Sequence, residues 1–137
     1  LDLMLPYRLE MGTRLNNNKG KNLYEFWGDS IAANISTELK NHNHKIIVNC
    51  ASNEYFKSIS NGSLEAMVIT PEFKEIKNGS LKMISFYAKK ARGMMARHII
   101  ENRINDPKDL LFFNSDGYSY DASLSTDVKP VFTRSQS

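Results

Sequence analysis

Four cations fall within nine residues, Lys89, Lys90, Arg92 and Arg97, in the stretch "FYAKKARGMMARHIIENR". Their chemistry is the recognition of anions. Arg offers a planar fork to phosphate oxygens and Lys a mobile point charge. The spacing predicts a helix from about Tyr87 to Ile104. At 3.6 residues per turn, Gly93 and Ala96 stand among the cations on one face. Tyr87, Ala88, Ala91, Met94, Met95 and Ile99 fill the opposite arc. Two small residues at the centre of a basic face would let a phosphate backbone come close. The competing reading is a solvated face that pairs with acids elsewhere. Against it, the segment from Phe86 to Arg103 holds one acid, Glu101, and its centre is Gly, a poor helix former. Ile100 and Ile104 rotate onto the basic side, which predicts a C-terminal half buried all round. From these residues alone both readings stay open.

Other residues have reactive types but less persuasive company. His42 and His44 lack a third ligand nearby, so a solvated loop is the better reading. His98 falls near the apolar arc and reads as a packed core residue. Cys50 precedes a possible helix start, where a thiolate would be favoured, but a small buried thiol fits better. Asp29 in "FWGD" and Glu54 in "SNEYFK" are acids beside aromatic residues, either perturbed carboxylates in a cleft or simply caps and surface groups. No CxxC, GxSxG, Walker or GxGxxG pattern occurs. No cofactor is therefore implied.

The elements that must carry these residues are legible in outline. Leu3, Leu5, Tyr7, Leu9 and Met11 alternate with Arg8 and Glu10, an amphipathic strand. Asn22 caps a helix with Glu25 three residues on. Leu23, Trp27, Ile31, Ile35 and Leu39 then recur every fourth residue as one buried stripe. "KIIVNCAS" reads as a buried strand, and Ser52 or Asn53 caps a short helix through "EYFKSI". "LEAMVITPEFKEI" and "LKMISFYA" flank Asn78-Gly79, a hairpin signal, with Pro71 marking an edge or a break. Asp106 and Pro107 start a short helical turn. "FNSDGYSYD" is turn-rich, and "KPVFTR" a last strand. The order β, α, β, α, β, β, α, β predicts an α+β fold, a mixed sheet packed with helices.

Bulk properties narrow the class. The 137 residues are 41% hydrophobic and 24% charged, which suits a folded domain. The formal charge is +3, yet Phe86 to Arg103 alone carries +4, which leaves −1 for everything else. The positive charge is thus focused on one element, as an electrostatic footprint for a polyanion would be. One cysteine excludes an intrachain disulfide and points to a reducing compartment. No apolar run approaches the roughly 20 residues that span a bilayer. A cytosolic protein without a membrane contact is expected.

Several blocks together resemble a known family. "LDLMLPYRLEMGTRL", "LYEFWGD", "NCASNEYFKSI", "ISFYAKKARGMMARHIIENRI" and "FNSDGYSYD" occur in this order. They are similar to the C-terminal half of the bacterial YaaA family, the peroxide stress resistance proteins, over essentially the whole chain. Family members carry an N-terminal half with an "SPAKT"-type motif, which does not occur here. The resemblance therefore implies that residues 1–137 are the C-terminal portion of a larger single-domain α/β fold. It further implies a cytosolic protein that helps cells survive hydrogen peroxide by keeping free iron low. It implies DNA binding through a positively charged cleft.

On that basis Lys89, Lys90, Arg92 and Arg97 are expected to contact DNA phosphates, duplex or branched, with Arg8 and Lys57 as outer contacts. Tyr55 or Tyr87 would stack on bases. The alternative is an enzyme for a phosphorylated or other anionic small molecule, with Asp29, Glu54 or Tyr87 as acid and base. Direct iron binding through His42, His44, Asp2 and scattered acids has the least support, because no facial triad or Glu-x-x-His pair is present.

Overall fold

Asn22 and Glu25 decide where the first helix starts. In the computed structural model, which describes residues 9–60 and 64–135, the Asn22 side chain accepts a hydrogen bond from the Glu25 N–H at 3.0 Å. Glu25 reaches back to accept from the Lys21 N–H at 2.8 Å. The helix runs Leu23–Trp27 (α1) and stops at Gly28, whose φ is +47°. A second helix then runs Ser30–Leu39 (α2). One continuous helix was expected here. The fourfold apolar stripe runs through both, but Gly28 takes a left-handed conformation that only glycine adopts freely, and the helix breaks there.

The chain divides into two compact units. The first holds α1, α2 and a short helix Asn53–Phe56 (α3). Its buried apolar residues are Met11, Leu23, Ala32, Leu39 and Ile59. Trp27, Ile31 and Ile35 of the expected stripe are only half-buried. Glu54 binds the unit together. Its carboxylate accepts from the Met11 N–H at 3.1 Å and its carbonyl accepts from the Tyr24 hydroxyl at 2.8 Å. The strand expected from Leu3 to Met11 lies largely outside the described residues. Where it is described, Leu9 and Glu10 are irregular and Met11 sits in a turn.

The second unit is built on two sheets. Ile46–Val48 (β1) pairs in parallel with Met67–Ile69 (β2). Pro71 then ends β2, because it has no N–H to give a ladder. Glu72–Lys77 (β3) turns back into Ser80–Lys82 (β4) through Asn78 and Gly79, at φ +51° and +73°. Two left-handed residues are what a type I′ hairpin turn requires. The helix α4 spans Ser85–Glu101, starting two residues before the expected Tyr87 and ending three before Ile104. Asp106 caps the 3₁₀ turn Pro107–Phe112 by accepting from the Lys108 N–H at 2.9 Å. Ser119–Tyr120 (β5) and Val131–Ser135 (β6) complete a four-stranded mixed sheet ordered β4-β3-β6-β5, with β3 and β6 parallel.

Helix α4 packs on β3. Ala88, Ala91 and Met95 of α4 are buried, and Ala91 and Met95 meet Phe73, Phe113, Tyr118 and Phe132 in the core. Phe73 is the hub. Its ring lies 5.7 Å from Phe113, 5.4 Å from Tyr118 and 5.5 Å from Phe132. Such pairs each add about 1 kcal/mol beyond area burial. This core fixes the rotation of α4, and so fixes which residues face out.

Candidate functional site

With its small side on the sheet, α4 presents the opposite side to solvent. Lys89, Lys90, Gly93 and Arg97 are exposed, Arg92 is half-buried, and Phe86 and Ile100 are 72% and 75% exposed. The expectation that Ile100 would be buried is therefore wrong, whereas Ile104 is half-buried. His98 does pack, its ring 5.6 Å from Phe113. The Nδ1 of His98 accepts from the Asn102 amide at 3.1 Å, while Nε2 is buried with no hydrogen-bond partner among the described residues.

The four cations differ in what they already hold. Lys90 Nζ lies 3.2 Å from an Asp116 carboxylate oxygen. Arg97 lies 3.8 Å from Glu101 in an exposed i,i+4 pair, a contact worth at most a few tenths of a kcal/mol. Lys89 and Arg92 have no ion pair among the described residues. The start of α4 adds to the positive field. Ile84 supplies no side-chain cap, and the first turn holds no acid. The uncapped N–H groups and the positive end of the helix dipole thus lie one turn from Lys89 and Lys90. A Cβ built on Gly93 meets nothing within 4 Å. The fold does not require glycine there.

Behind α4 lies a polar network that the sequence did not disclose. Arg134 on β6 stands beside Glu75 on β3, its register partner. Arg134 Nε donates to Glu75 Oε2 at 2.8 Å, and Nη1 donates to Asp116 Oδ2 at 2.7 Å. The Tyr118 hydroxyl donates to the other Glu75 oxygen. The guanidinium also lies between two rings, 4.9 Å from Tyr87 and 4.6 Å from Tyr118. Glu75 is only 1% exposed, and both its oxygens are satisfied. That is the condition under which a carboxylate stays buried.

Each shift in acidity follows from these contacts. Hydrogen bonds from Lys90 and then Arg134 hold the Asp116 carboxyl below the usual carboxylate range. Burial, reinforced by the bond to Glu75, pushes the Tyr118 phenol well above its ordinary value. The bond to Glu75 raises Arg134 further. Burial pushes the half-buried Cys50 thiol up, against the pull of the Arg92 charge, so Cys50 is not an activated thiolate. Asp116 sits at φ +56°, a left-handed conformation that Asp tolerates better than most residues. It delivers one carboxylate to both Lys90 and Arg134.

One signal could have exposed this network. In "EFKEIK" the two-residue period puts Glu75 on the face of Phe73, so an acid pointing into the core was legible. Its partners Tyr118 and Arg134 lie 43 and 59 residues away and carry no local mark.

Lys57 belongs to the first unit, its Nζ 5.2 Å from the Tyr24 ring centre. Tyr55 there is 50% exposed. Asp29 is exposed at the start of α2, and the Glu54 carboxylate is engaged with the Met11 backbone. Tyr87 is in the second unit, stacked on Arg134. His42 and His44 are exposed. Arg8 and Asp2 lie outside the described residues. Among the described residues no three His, Cys, Asp or Glu side chains gather to hold a metal ion. No helix among them is long and apolar enough to cross a membrane.

Comparison with known proteins agrees with the blocks quoted above. Residues 1–124 match the profile of a family described as peroxide stress protein YaaA. A UPF0246 protein of Shewanella denitrificans is 55% identical over 136 residues, 99% of this chain and 53% of the relative. One from Shewanella sp. strain W3-18-1 is 54% identical over 98% of this chain and 52% of its own length. One from Hahella chejuensis is 50% identical, again over 98% and 52%. The chain spans about half the length of these curated relatives. With a profile match over most of the residues, this chain belongs to the family of the peroxide stress protein YaaA.

Proposed function

We propose that this chain serves peroxide stress resistance by binding DNA through the outer face of α4, where it helps limit iron-driven oxidative damage. The observation that carries the reading is the unpaired charge. Lys89 and Arg92 have no acid partner among the described residues, and Arg97 has only a loose one. They stand around Gly93, where a Cβ would meet open space. Phosphates are the ligands that such a face fits, since Lys and Arg bind them by charge and the missing side chain lets a backbone approach. Lys90 contributes least, because Asp116 already neutralises it. Arg8 and Lys57 remain candidate outer contacts. Tyr87 is not a free stacking platform, since Arg134 occupies one of its faces.

The test is fluorescence anisotropy of labelled duplex DNA over a salt series. Three phosphate contacts give a log–log slope of about −2.7. The Lys89→Ala/Arg92→Ala/Arg97→Ala variant, shown to be folded by circular dichroism, should lose most of that slope. Lys90→Ala should change it by less than about 0.5. A folded parent chain with no salt-dependent binding would end the reading.

A further inference from the structure

Phe86 and Ile100 are large apolar side chains, 72% and 75% exposed on the face that carries the cations. They lie fourteen positions apart with Gly93 midway, all three on one stripe. The helical rise puts them about 21 Å apart. Phe86 is also braced. Its ring meets Tyr87 edge-on at 5.8 Å, and Tyr87 is held by the Arg134 guanidinium at 4.9 Å. Arg134 is in turn fixed by Glu75 and Asp116.

Of a partner helix, a second copy of this chain and DNA, two fit this stripe poorly. A partner helix wants an apolar residue every three or four positions. Here the intervening positions are Lys89, Lys90, Ala96 and Arg97, so four turns of helix offer only two apolar anchors. A second copy crossing at Gly93 in antiparallel fashion would set Lys89 opposite Arg97, like charge on like. A parallel crossing would set Lys89 on Lys89. Double-stranded DNA fits. Its phosphates answer the cations, and its base steps admit isolated apolar side chains that press in and partly unstack them.

We propose that Phe86, with Ile100 as a second contact, presses against the bases of DNA bound on α4, so that binding unstacks a base step. This rests on the DNA-binding reading above and adds base contact to phosphate contact. The experiment uses the 137-residue chain and a duplex with one internal 2-aminopurine, whose fluorescence rises on unstacking. With the parent chain the fluorescence should rise at saturation. Phe86→Ala should bind about 10- to 100-fold more weakly with an unchanged salt slope, since a base–aromatic contact is lost but no phosphate contact. It should also abolish the fluorescence rise, and Phe86→Trp should restore both. If Phe86→Ala binds as tightly as the parent and 2-aminopurine stays dark with both, base contact is refuted while phosphate binding stands. If the parent chain binds no DNA at low salt, both readings fall. A dimer of the parent chain in sedimentation that Phe86→Ala removes, with DNA affinity unchanged, would assign the stripe to self-association and overturn the proposal.

Discussion

Replacing Arg134 by Met should cost more than any surface substitution in the chain. The methionine keeps the apolar stem but removes the charge. Glu75, 1% exposed, would then keep a buried carboxylate with one donor, the Tyr118 hydroxyl. Removing one member of a buried pair costs about 3–5 kcal/mol, mostly from the charge left behind. Two cation–π contacts, with Tyr87 and Tyr118, are lost as well. A chain of this kind has a total stability of about 5–15 kcal/mol, so the loss is a large share. Urea unfolding followed by circular dichroism would read it as a midpoint lowered by roughly 2 M, for an m-value near ~2 kcal/mol/M. The single tryptophan, Trp27, reports on the other unit and is the wrong probe. The decisive comparison is the triple variant Glu75→Leu/Tyr118→Phe/Arg134→Met. It removes the buried acid and the orphaned hydroxyl together with the cation. If the cost lies in uncompensated charge, three substitutions should destabilise less than one. A single variant within about 1 kcal/mol of the parent, or a triple variant worse than the single, would refute the reasoning.

Asp116 has its acidity strengthened in the folded state, so its pairs stabilise the chain above the ordinary carboxylate pKa. That contribution is lost as pH falls through the lower folded value. Stability measured from about pH 6 down to about pH 3 should therefore drop less steeply in Asp116→Asn than in the parent. Tyr118 is shifted the other way, so its contribution is present below the ordinary phenol pKa and lost as pH rises through the raised folded value. In an absorbance titration of the six tyrosines, one should ionise only as the chain unfolds in base, and Tyr118→Phe should remove that late step. Gly93→Ala should raise stability by about 1 kcal/mol, since the position is helical and open. The same variant should weaken the proposed DNA binding, because a methyl group would stand where a phosphate is proposed to approach. A variant that gains no stability, or gains it and binds as before, would remove the argument from Gly93.

Local signals are legible because they act over a few residues. Asn22 with Glu25, Asn78 with Gly79, and Asp106 with Pro107 each specify their own hydrogen bonds or dihedrals, and each does so in the fold. The break at Gly28 is not legible, because a fourfold apolar stripe is insensitive to one positive φ in its path. Pro71 marked a break, but which sheet each flanking strand joins depends on partners far away, Ile46–Val48 for β2 and Val131–Ser135 for β3. The cationic stretch was legible as composition. Its division into engaged and unengaged charges was not, because Lys90 owes its partner to Asp116, 26 residues on and held at a left-handed dihedral. Exposure of Ile100 could not be read either, since periodicity orders residues around a helix without saying which arc a sheet will cover.

Folding uses little of what the outer face of α4 contains. It takes Lys90, which pairs with Asp116. It does not need the rest. An uncapped helix start with cations nearby opposes the macrodipole by about 0.3–1 kcal/mol. A glycine in mid-helix forgoes about 1 kcal/mol against alanine. Phe86 and Ile100 each leave in water an apolar side chain whose burial is worth about 1.5–3 kcal/mol. These terms all point against the stability of the isolated chain, and they coincide on one stripe of one helix. The opposite arc of the same helix, Ala88, Ala91 and Met95, is packed against the sheet. Large exposed apolar side chains occur on other elements too, Phe112 at 74% and Met83 at 59%. On α4 they stand beside unpaired charge, which is what the proposed interface requires, and the sign of that charge suits an anionic partner.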